Sequence, residues 1–356
     1  MVQKITCVIN NIAETGGAER VMTVLCNGFA ELGIDVTLIV QQDTRKAYPL
    51  DERVHLVGTP VSVKIPVLRS LLRGFKLRKQ LKALQPDIIV SFLTWMNIVT
   101  IVHSAGLKIP VIVSERNDPA SDGFFYKLLR RLVYPCASGF VFQTKDAQAY
   151  FSEKIQQRSV VIYNPIMAAL PAETKVRNPH RVVAVGRLEA QKNYPLLFRA
   201  FSTLPEAYTL DVYGSGSLRE EFVALLSELK LGNRVTLHGS VPDVLEQIKD
   251  AAVYVLPSSY EGMPNALIEA MAVGLPCIAT DCPCGGVRAL VKDRENGLLV
   301  PVNDEKALSA AMLELLQDTA LQDRLSHNAK EIKTTLSADK IRSQWLEYIQ
   351  QVIKKH

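Results

Sequence analysis

Pro257-Ser258-Ser259-Tyr260-Glu261-Gly262-Met263-Pro264-Asn265-Ala266-Leu267-Ile268-Glu269 decides how this chain is read. The apolar run Val253-Tyr254-Val255-Leu256 ends at Pro257, and Ser258, Ser259 and Gly262 mark a turn. A helix is expected to begin near Pro264, whose missing N–H is no loss at a first helical position. Glu261 then sits on the loop at the carboxyl end of a strand, and Glu269 lies inside the helix that follows. Ligands of open α/β sheets bind in that crevice. The N–H groups of Met263 and Asn265 would point at an anion there. Two ionised carboxylates, which only accept hydrogen bonds, could hold the hydroxyls of a sugar or ribose. Two glutamates eight apart are common as solvated side chains. Strand, turn, Gly and Pro around them are rarer, and the combination favours a site.

The 356 residues suffice for two ordinary domains. With 48% hydrophobic and 22% charged residues the chain can bury real cores. No apolar run is long enough to span a bilayer, and the start, Met1 to Asn10, reads as a strand and not as a signal peptide. A cytoplasmic protein is expected. Cys7, Cys26, Cys136 and Cys277 lie in apolar settings, as small core residues do. Cys282-Pro283-Cys284 lacks a second ligand pair and reads as a loop, not a metal site. Residues 1–165 carry 20 Lys and Arg against 13 Asp and Glu, whereas residues 166–356 carry 21 against 23. A basic first half suggests anionic partners.

Short apolar strands alternate with helix-length segments, which argues for parallel sheets with crossover helices. Strands are expected near 4–10, 35–40, 53–57, 87–92, 110–114, 138–143 and 159–163, then near 181–186, 208–213, 234–238, 252–256, 276–280 and 297–301. The polar, proline-bearing stretch Met167–Pro179 reads as a linker. Ala307 to Lys355 is helical by pattern. The fold class is α/β, with two doubly wound parallel-sheet domains.

Val182-Val183-Ala184-Val185-Gly186-Arg187-Leu188-Glu189-Ala190-Gln191-Lys192-Asn193-Tyr194 is the second strong motif. A strand runs into Gly186, and Arg187 and Lys192 follow before a helix. A guanidinium fork and a compact ammonium at a helix N-terminus can neutralise a diphosphate. Gly16-Gly17, after the first strand, could bring backbone N–H groups close to a phosphate or sugar, or make only a tight turn. No G-x-G-x-x-G is present. Gly33 supplies the stop of the helix after Gly17.

Pro66–Leu84 is a basic amphipathic helix, with Leu68, Leu71, Leu72 and Phe75 at helical spacing among Arg69, Arg73, Lys76, Arg78, Lys79 and Lys82. Phe124 to Leu132, with Lys127, Arg130 and Arg131, is a second such segment. Both suit an anionic lipid interface, and both also suit a core-packed helix with a solvated cationic face. Ser114-Glu115-Arg116-Asn117-Asp118-Pro119 ends the fifth strand at the carboxyl-end crevice, with Asn117 or Asp118 able to cap a helix. His103 reads as a packed or surface histidine. No nucleic-acid motif or aromatic-interleaved basic sheet occurs.

Glu261 and Glu269 resemble the E-x7-E motif of retaining GT-B glycosyltransferases of family 4, and Gly186, Arg187 and Lys192 resemble that family's donor-diphosphate site. Tyr213-Gly214-Ser215-Gly216 is similar to the family's next loop. Leu237-His238-Gly239 is similar to the loop whose backbone meets the uracil base. The Gly17 loop resembles the glycine loop of its first domain. The Ser114–Pro119 loop resembles the subgroup acting on polyprenyl-diphosphate-linked saccharides. Two positions depart from the family: Arg116-Asn117 where many relatives carry a sugar-contacting His-Asp pair, and Arg288 where a carboxylate is common.

The resemblance implies GT-B architecture: an acceptor-binding domain at 1–165, a nucleotide-sugar-binding domain at 166–339, and a C-terminal helix at 340–356 that can pack back on the first. It implies retaining transfer of a hexose or N-acetylhexosamine from a UDP-sugar to a hydroxyl of a lipid-linked saccharide, at the cytoplasmic face of the inner membrane. Arg187, Lys192 and Glu261 would carry the chemistry. Gly17, Gly186, Gly214, His238, Gly239, Met263, Pro264, Asn265 and Glu269 would hold the donor. Arg69, Arg73, Lys76, Glu115, Arg116, Arg130 and Arg131 would meet acceptor or membrane. No D-x-D pair occurs, so neither metal nor cofactor is expected. A nucleotide-sugar 2-epimerase of the same fold, or a non-catalytic anionic-lipid-binding scaffold, stays open.

Overall fold

The computed structural model describes residues 2–13, 16–41, 44–166, 170–172, 174 and 176–356. Glu14 and Thr15 of the glycine loop, and Met167, Ala168, Ala169, Glu173 and Lys175 of the expected linker, lie outside the described residues. The chain divides into two compact units, Met1–Met167 with Leu336–His356, and Ala168–Thr335.

In the first unit the strands are β1 (Lys4–Ile9), β2 (Asp35–Val40), β3 (His55–Gly58), β4 (Ile88–Phe92), β5 (Val111–Ser114), β6 (Gly139–Phe142) and β7 (Ser159–Val161). The helices are α1 (Gly17–Glu31), α2 (Pro66–Leu84), α3 (Thr94–Ser104), α4 (Phe124–Val133), α5 (Lys145–Ala149) and α6 (Glu153–Gln156). The strands pair in parallel in the order β3-β2-β1-β4-β5-β6-β7, so the order reverses between β1 and β4. The interior strands are apolar on both faces, as a covered parallel sheet requires. α1 stops at Gly33, where the N–H groups of Gly33 and Ile34 donate to Ala30 and Phe29 carbonyls.

The second unit holds β8 (Asn178–Val185), β9 (Thr209–Tyr213), β10 (Val235–Gly239), β11 (Ala251–Leu256), β12 (Cys277–Thr280) and β13 (Leu298–Val300). Its helices are α7 (Tyr194–Ser202), α8 (Arg219–Glu228), α9 (Val244–Ile248), α10 (Asn265–Val273), α11 (Gly286–Leu290), α12 (Glu305–Gln317), α13 (Thr319–Ala329) and α14 (Ile332–Thr335). The order is β10-β9-β8-β11-β12-β13, again parallel, and it reverses between β8 and β11. Every residue of β11 is buried.

The last helix, α15 (Ala338–Lys355), belongs to the first unit. Trp345 is fully buried there, and Arg342 reaches Glu31 of α1 at 2.9 Å. The Tyr348 hydroxyl accepts from Phe140 N at 2.9 Å.

All thirteen expected strands form, within a few residues of their expected ends. The differences are local. Asn178 and Pro179, read as linker, open β8. Asp318 breaks the tail between α12 and α13, its carboxylate capping the second at Leu321 N. Cys136 is exposed, on a one-turn helix that ends at the surface, whereas Cys7, Cys26 and Cys277 are buried.

Candidate active site

Loops at the carboxyl edge of the second sheet form the site. The first follows β8. Arg187 is exposed, and Lys192 lies on the short turn before α7. The second follows β11 and carries Glu261. Pro264 caps α10 instead of opening it, with an extended ψ of 103°, and Asn265 is the first helical residue. The missing N–H of Pro264 is harmless at either position. β8 and β11 are the neighbours at which strand order reverses, so both loops meet where open α/β sheets bind ligands.

Lys192 Nζ lies 2.5 Å from Glu261 Oε1. Both side chains are largely buried, 13% and 7% exposed. Ser258 Oγ donates to the same carboxylate oxygen at 2.7 Å. Thr280 holds Ser258 in turn, its hydroxyl donating to Ser258 O at 2.5 Å. Gln191 ties the two loops together: its carbonyl accepts from Ser259 N at 2.9 Å, and its Nε2 donates to Tyr260 O at 2.9 Å and approaches Glu261 Oε2 at 3.5 Å. The Gln191 Oε1 faces Arg187 Nη2 at 3.4 Å. Below them Tyr194 is buried, its hydroxyl donating to Gly186 O at 3.1 Å. Burial and the nearby Glu261 push that phenol up, so it stays a neutral donor.

Glu269 is buried inside α10, one turn beyond Asn265. The loop after β12 closes the site from the far side, with Glu261 N approaching Pro283 O at 3.4 Å. A Cβ on Gly286 would stand 1.7 Å from Gly262 O, so only glycine admits that loop. A cavity of about 580 Å³ opens beside Ser259, lined also by Asp281, Pro283 and Leu299 to Val302. Arg288 chelates Asp281 at its rim, at 2.9 and 2.8 Å.

Gly214, after β9, adopts φ +138°, and an added Cβ would meet Gly186 O at 2.0 Å. Its N–H donates to Gly239 O at 2.8 Å, lacing the β8, β9 and β10 loops together. His238 is exposed at the end of β10, with its ring held from one side. It stacks on Tyr213 at 4.5 Å and its Nε2 meets Asp211 at 2.7 Å, because β10 directs it across to β9.

The structure thus gathers Gly186, Arg187, Lys192, Glu261, Met263, Pro264, Asn265 and Glu269 on adjoining loops and one helix. Gly214 and Gly239 are one and two strands further along the edge. Gly17 opens α1 of the first unit. Sequence reasoning missed Gln191, Ser258 and Thr280. The first two stand within the motifs already singled out, but a neutral side chain beside charged ones gave no signal of its own.

The basic segments of the first unit divide unexpectedly. α4 is nearly inside out: Phe124, Phe125 and Leu132 are 82%, 61% and 65% exposed, and Arg130 is 3% exposed. Arg130 bonds Asp122 at 2.7 Å and Pro119 O at 2.8 Å, so it anchors the helix from inside and is not on the exposed surface expected of it. Arg131 stays exposed. Leu68, Leu71, Leu72 and Phe75 of α2 are exposed, while Leu77 and Leu81 bury its other side. Arg69 is half-buried, Lys76 donates to Pro60 O at 2.5 Å, and the Arg73 Nε is enclosed. α2 and α4 both pack on α3, with Phe75 against His103 and Trp95 against Tyr126.

Glu115 is buried and held by Thr94 Oγ1 at 3.0 Å and by the Tyr134 hydroxyl. Burial raises its pKa against the opposing pull of Arg130. It is a structural group of the first unit, not a surface contact. Neither Asn117 nor Asp118 caps α4: Gly123 does, and Asp118 turns the loop through Ala120 N at 2.9 Å.

Residues 15–170 match the family model described as Glycosyltransferase Family 4, and residues 169–332 match the one described as Glycosyl transferases group 1. The chain belongs to this family of glycosyltransferases and is an enzyme of that class. A GalNAc-α-(1→4)-GalNAc-α-(1→3)-diNAcBac-PP-undecaprenol α-1,4-N-acetyl-D-galactosaminyltransferase of Campylobacter jejuni is 28% identical over 360 residues, covering 98% of this chain and 99% of the relative. An N-acetylgalactosamine-N,N'-diacetylbacillosaminyl-diphospho-undecaprenol 4-α-N-acetylgalactosaminyltransferase of the same organism is 27% identical, covering 94% and 96%. The crystal structure of Anabaena HepE in complex with UDP and glucose superposes with a TM-score of 0.80 at 17% identity, covering 98% of this chain and 100% of that one. The fold is GT-B.

Proposed function

We propose that this enzyme moves a hexose or N-acetylhexosamine from a UDP-sugar, with retention, to a hydroxyl of a polyprenyl-diphosphate-linked saccharide in bacterial surface-glycan assembly. The observation that carries the reading is the Arg187, Lys192 and Glu261 cluster at the switch point of the second sheet. The relatives that act on diphospho-undecaprenol saccharides support the acceptor class. UDP bound to a protein of the same fold supports the donor class.

On this reading Arg187 and Lys192 neutralise the diphosphate as the anomeric C–O bond breaks, with the N–H groups at the start of α10 assisting. Glu261 takes hydroxyls of the donor sugar and Glu269 those of the ribose. The acceptor oxygen bonds the anomeric carbon on the face that the phosphate leaves, and its proton passes to the departing phosphate oxygen. Two cationic side chains then do the work of a metal-diphosphate clamp, and no metal is required.

The exposed apolar faces of α2 and α4, rimmed by Arg69, Lys79, Lys127 and Arg131, suit the anionic cytoplasmic face of a membrane. A lipid-linked acceptor would be met there. Among the described residues no helix is long and apolar enough to cross a membrane.

Labelled UDP-N-acetylgalactosamine, incubated with undecaprenyl-diphosphate-linked saccharides, tests the reading. Label should move into the lipid fraction. An isomerised nucleotide sugar formed without acceptor would instead identify an epimerase.

A further inference from the structure

Arg116 stands two residues past β5, at the carboxyl edge of the first sheet. Its guanidinium lies 3.8 Å from the Phe92 ring centre and 5.8 Å from that of Trp345. Nη1 donates to Asn164 Oδ1 at 2.9 Å, and Gln143 Nε2 donates to the same oxygen at 2.7 Å. The plane and position of the group are therefore fixed. Its Nε and Nη2 are enclosed and have no hydrogen-bond partner.

These two nitrogens lie side by side on one edge of the guanidinium. That edge is the fork that grips two oxygens of a phosphate or carboxylate. Among the described residues none supplies them. The adjacent Glu115 is committed to Thr94 and Tyr134, and Asp118 to its own turn. Burial alone acts on Arg116, holding it down to about 9, so it is a full cation at neutral pH. Buried charges in folded proteins are paired, and an unpaired one opposes folding. A fixed, donor-only fork without a counter-ion is the complement of an oxyanion.

We propose that the Arg116 fork is an oxyanion site that takes a phosphate group. This rests on the reading above, in which the acceptor lipid carries a diphosphate. The loop that follows Arg116, 117–123, leads directly into α4, whose outer face is the exposed apolar surface. On that reading the fork lies in sequence between the sheet edge and the helix that would meet a lipid-linked substrate. The same fork would also accept free phosphate.

Thermal denaturation of the full chain tests this, in an Arg187→Ala plus Lys192→Ala background so that the donor site cannot answer for phosphate. The probes are inorganic pyrophosphate and geranyl diphosphate. Each should raise Tm by about 5 °C at saturation. Arg116→Met should raise the probe-free Tm, because it removes an unpaired buried charge, and should abolish both shifts. Arg116→Lys, which keeps the charge without the fork, should weaken binding about tenfold. Geranyl diphosphate binding at least as tightly as pyrophosphate assigns the site to the lipid, and tighter pyrophosphate assigns it to free phosphate. A lower probe-free Tm in Arg116→Met, or probe shifts that ignore Arg116, would show a packing residue satisfied by water and overturn the site. That failure is separate from failure of the donor assignment, which appears as retained turnover in the background variant itself.

Discussion

Lys192 and Glu261 form an ion pair at 2.5 Å across 69 residues of sequence, with Ser258 bonded to the same carboxylate oxygen. One cation and one acid of the site therefore hold each other in place. On the proposed reading, a phosphate approaching Lys192 would compete with Glu261, which in yielding would become available to the hydroxyls of a sugar. The pair would then couple the two halves of donor recognition. Removing one member strands a buried charge, which typically costs several kcal/mol, more than the pair itself contributes.

Lys192→Met should therefore lower stability by about 3 kcal/mol, and adding Glu261→Gln should restore most of it. Urea denaturation of the two variants measures the difference. A single variant as stable as the parent would mean that Glu261 does not depend on Lys192 for its charge.

Gln191 should act on geometry more than on folding. It is a neutral bridge, with its amide donor toward Glu261 and its acceptor toward Arg187. Gln191→Met keeps the volume and deletes both, together with the bond to Tyr260 O. Donor kcat/KM should fall about tenfold, the scale of one hydrogen bond to a charged group, while affinity for UDP alone changes less than about twofold. Steady-state kinetics and calorimetry report the two quantities. Equal losses in both would make Gln191 a general support of the loop.

Most of this architecture was legible because a buried parallel strand leaves a strong trace. β11 is a continuous apolar run stopped by Pro257, and the helix and turn residues around it follow set chemistry. Arg187, Lys192 and Glu261 were legible for the same reason, standing on the loops that follow such strands. Ser258, Thr280 and Gln191 were not, since a hydroxyl or amide becomes informative only when its partner is known. Arg130 shows the opposite error. An arginine between apolar residues reads as the wet face of a helix, yet here it turns inward to Asp122 and Pro119 and leaves two phenylalanines outside. Helical periodicity gives the stripe but not which stripe faces the core.

That inversion makes a prediction for the membrane. Phe124→Ser with Phe125→Ser should reduce binding to vesicles containing phosphatidylglycerol at least about fivefold with little change in Tm, because both side chains are largely exposed. Binding of the parent should weaken as salt rises. Vesicle sedimentation checks both. Binding unaffected by the two substitutions would move the interface elsewhere.

Metal removal gives a fourth test. If Arg187 and Lys192 carry the diphosphate charge as proposed, turnover in excess EDTA should stay within about twofold of that in magnesium. Activity that vanishes with EDTA and returns with a divalent ion would assign part of that charge to a metal.

The most direct test of the central claim is turnover of the Arg187→Ala plus Lys192→Ala variant at saturating UDP-sugar, with circular dichroism to confirm that it is folded. The account predicts a folded protein whose rate falls by at least about a thousandfold, since preorganised charge at the leaving group is usually the largest catalytic contribution. A folded variant that transfers sugar at a near-normal rate would contradict it.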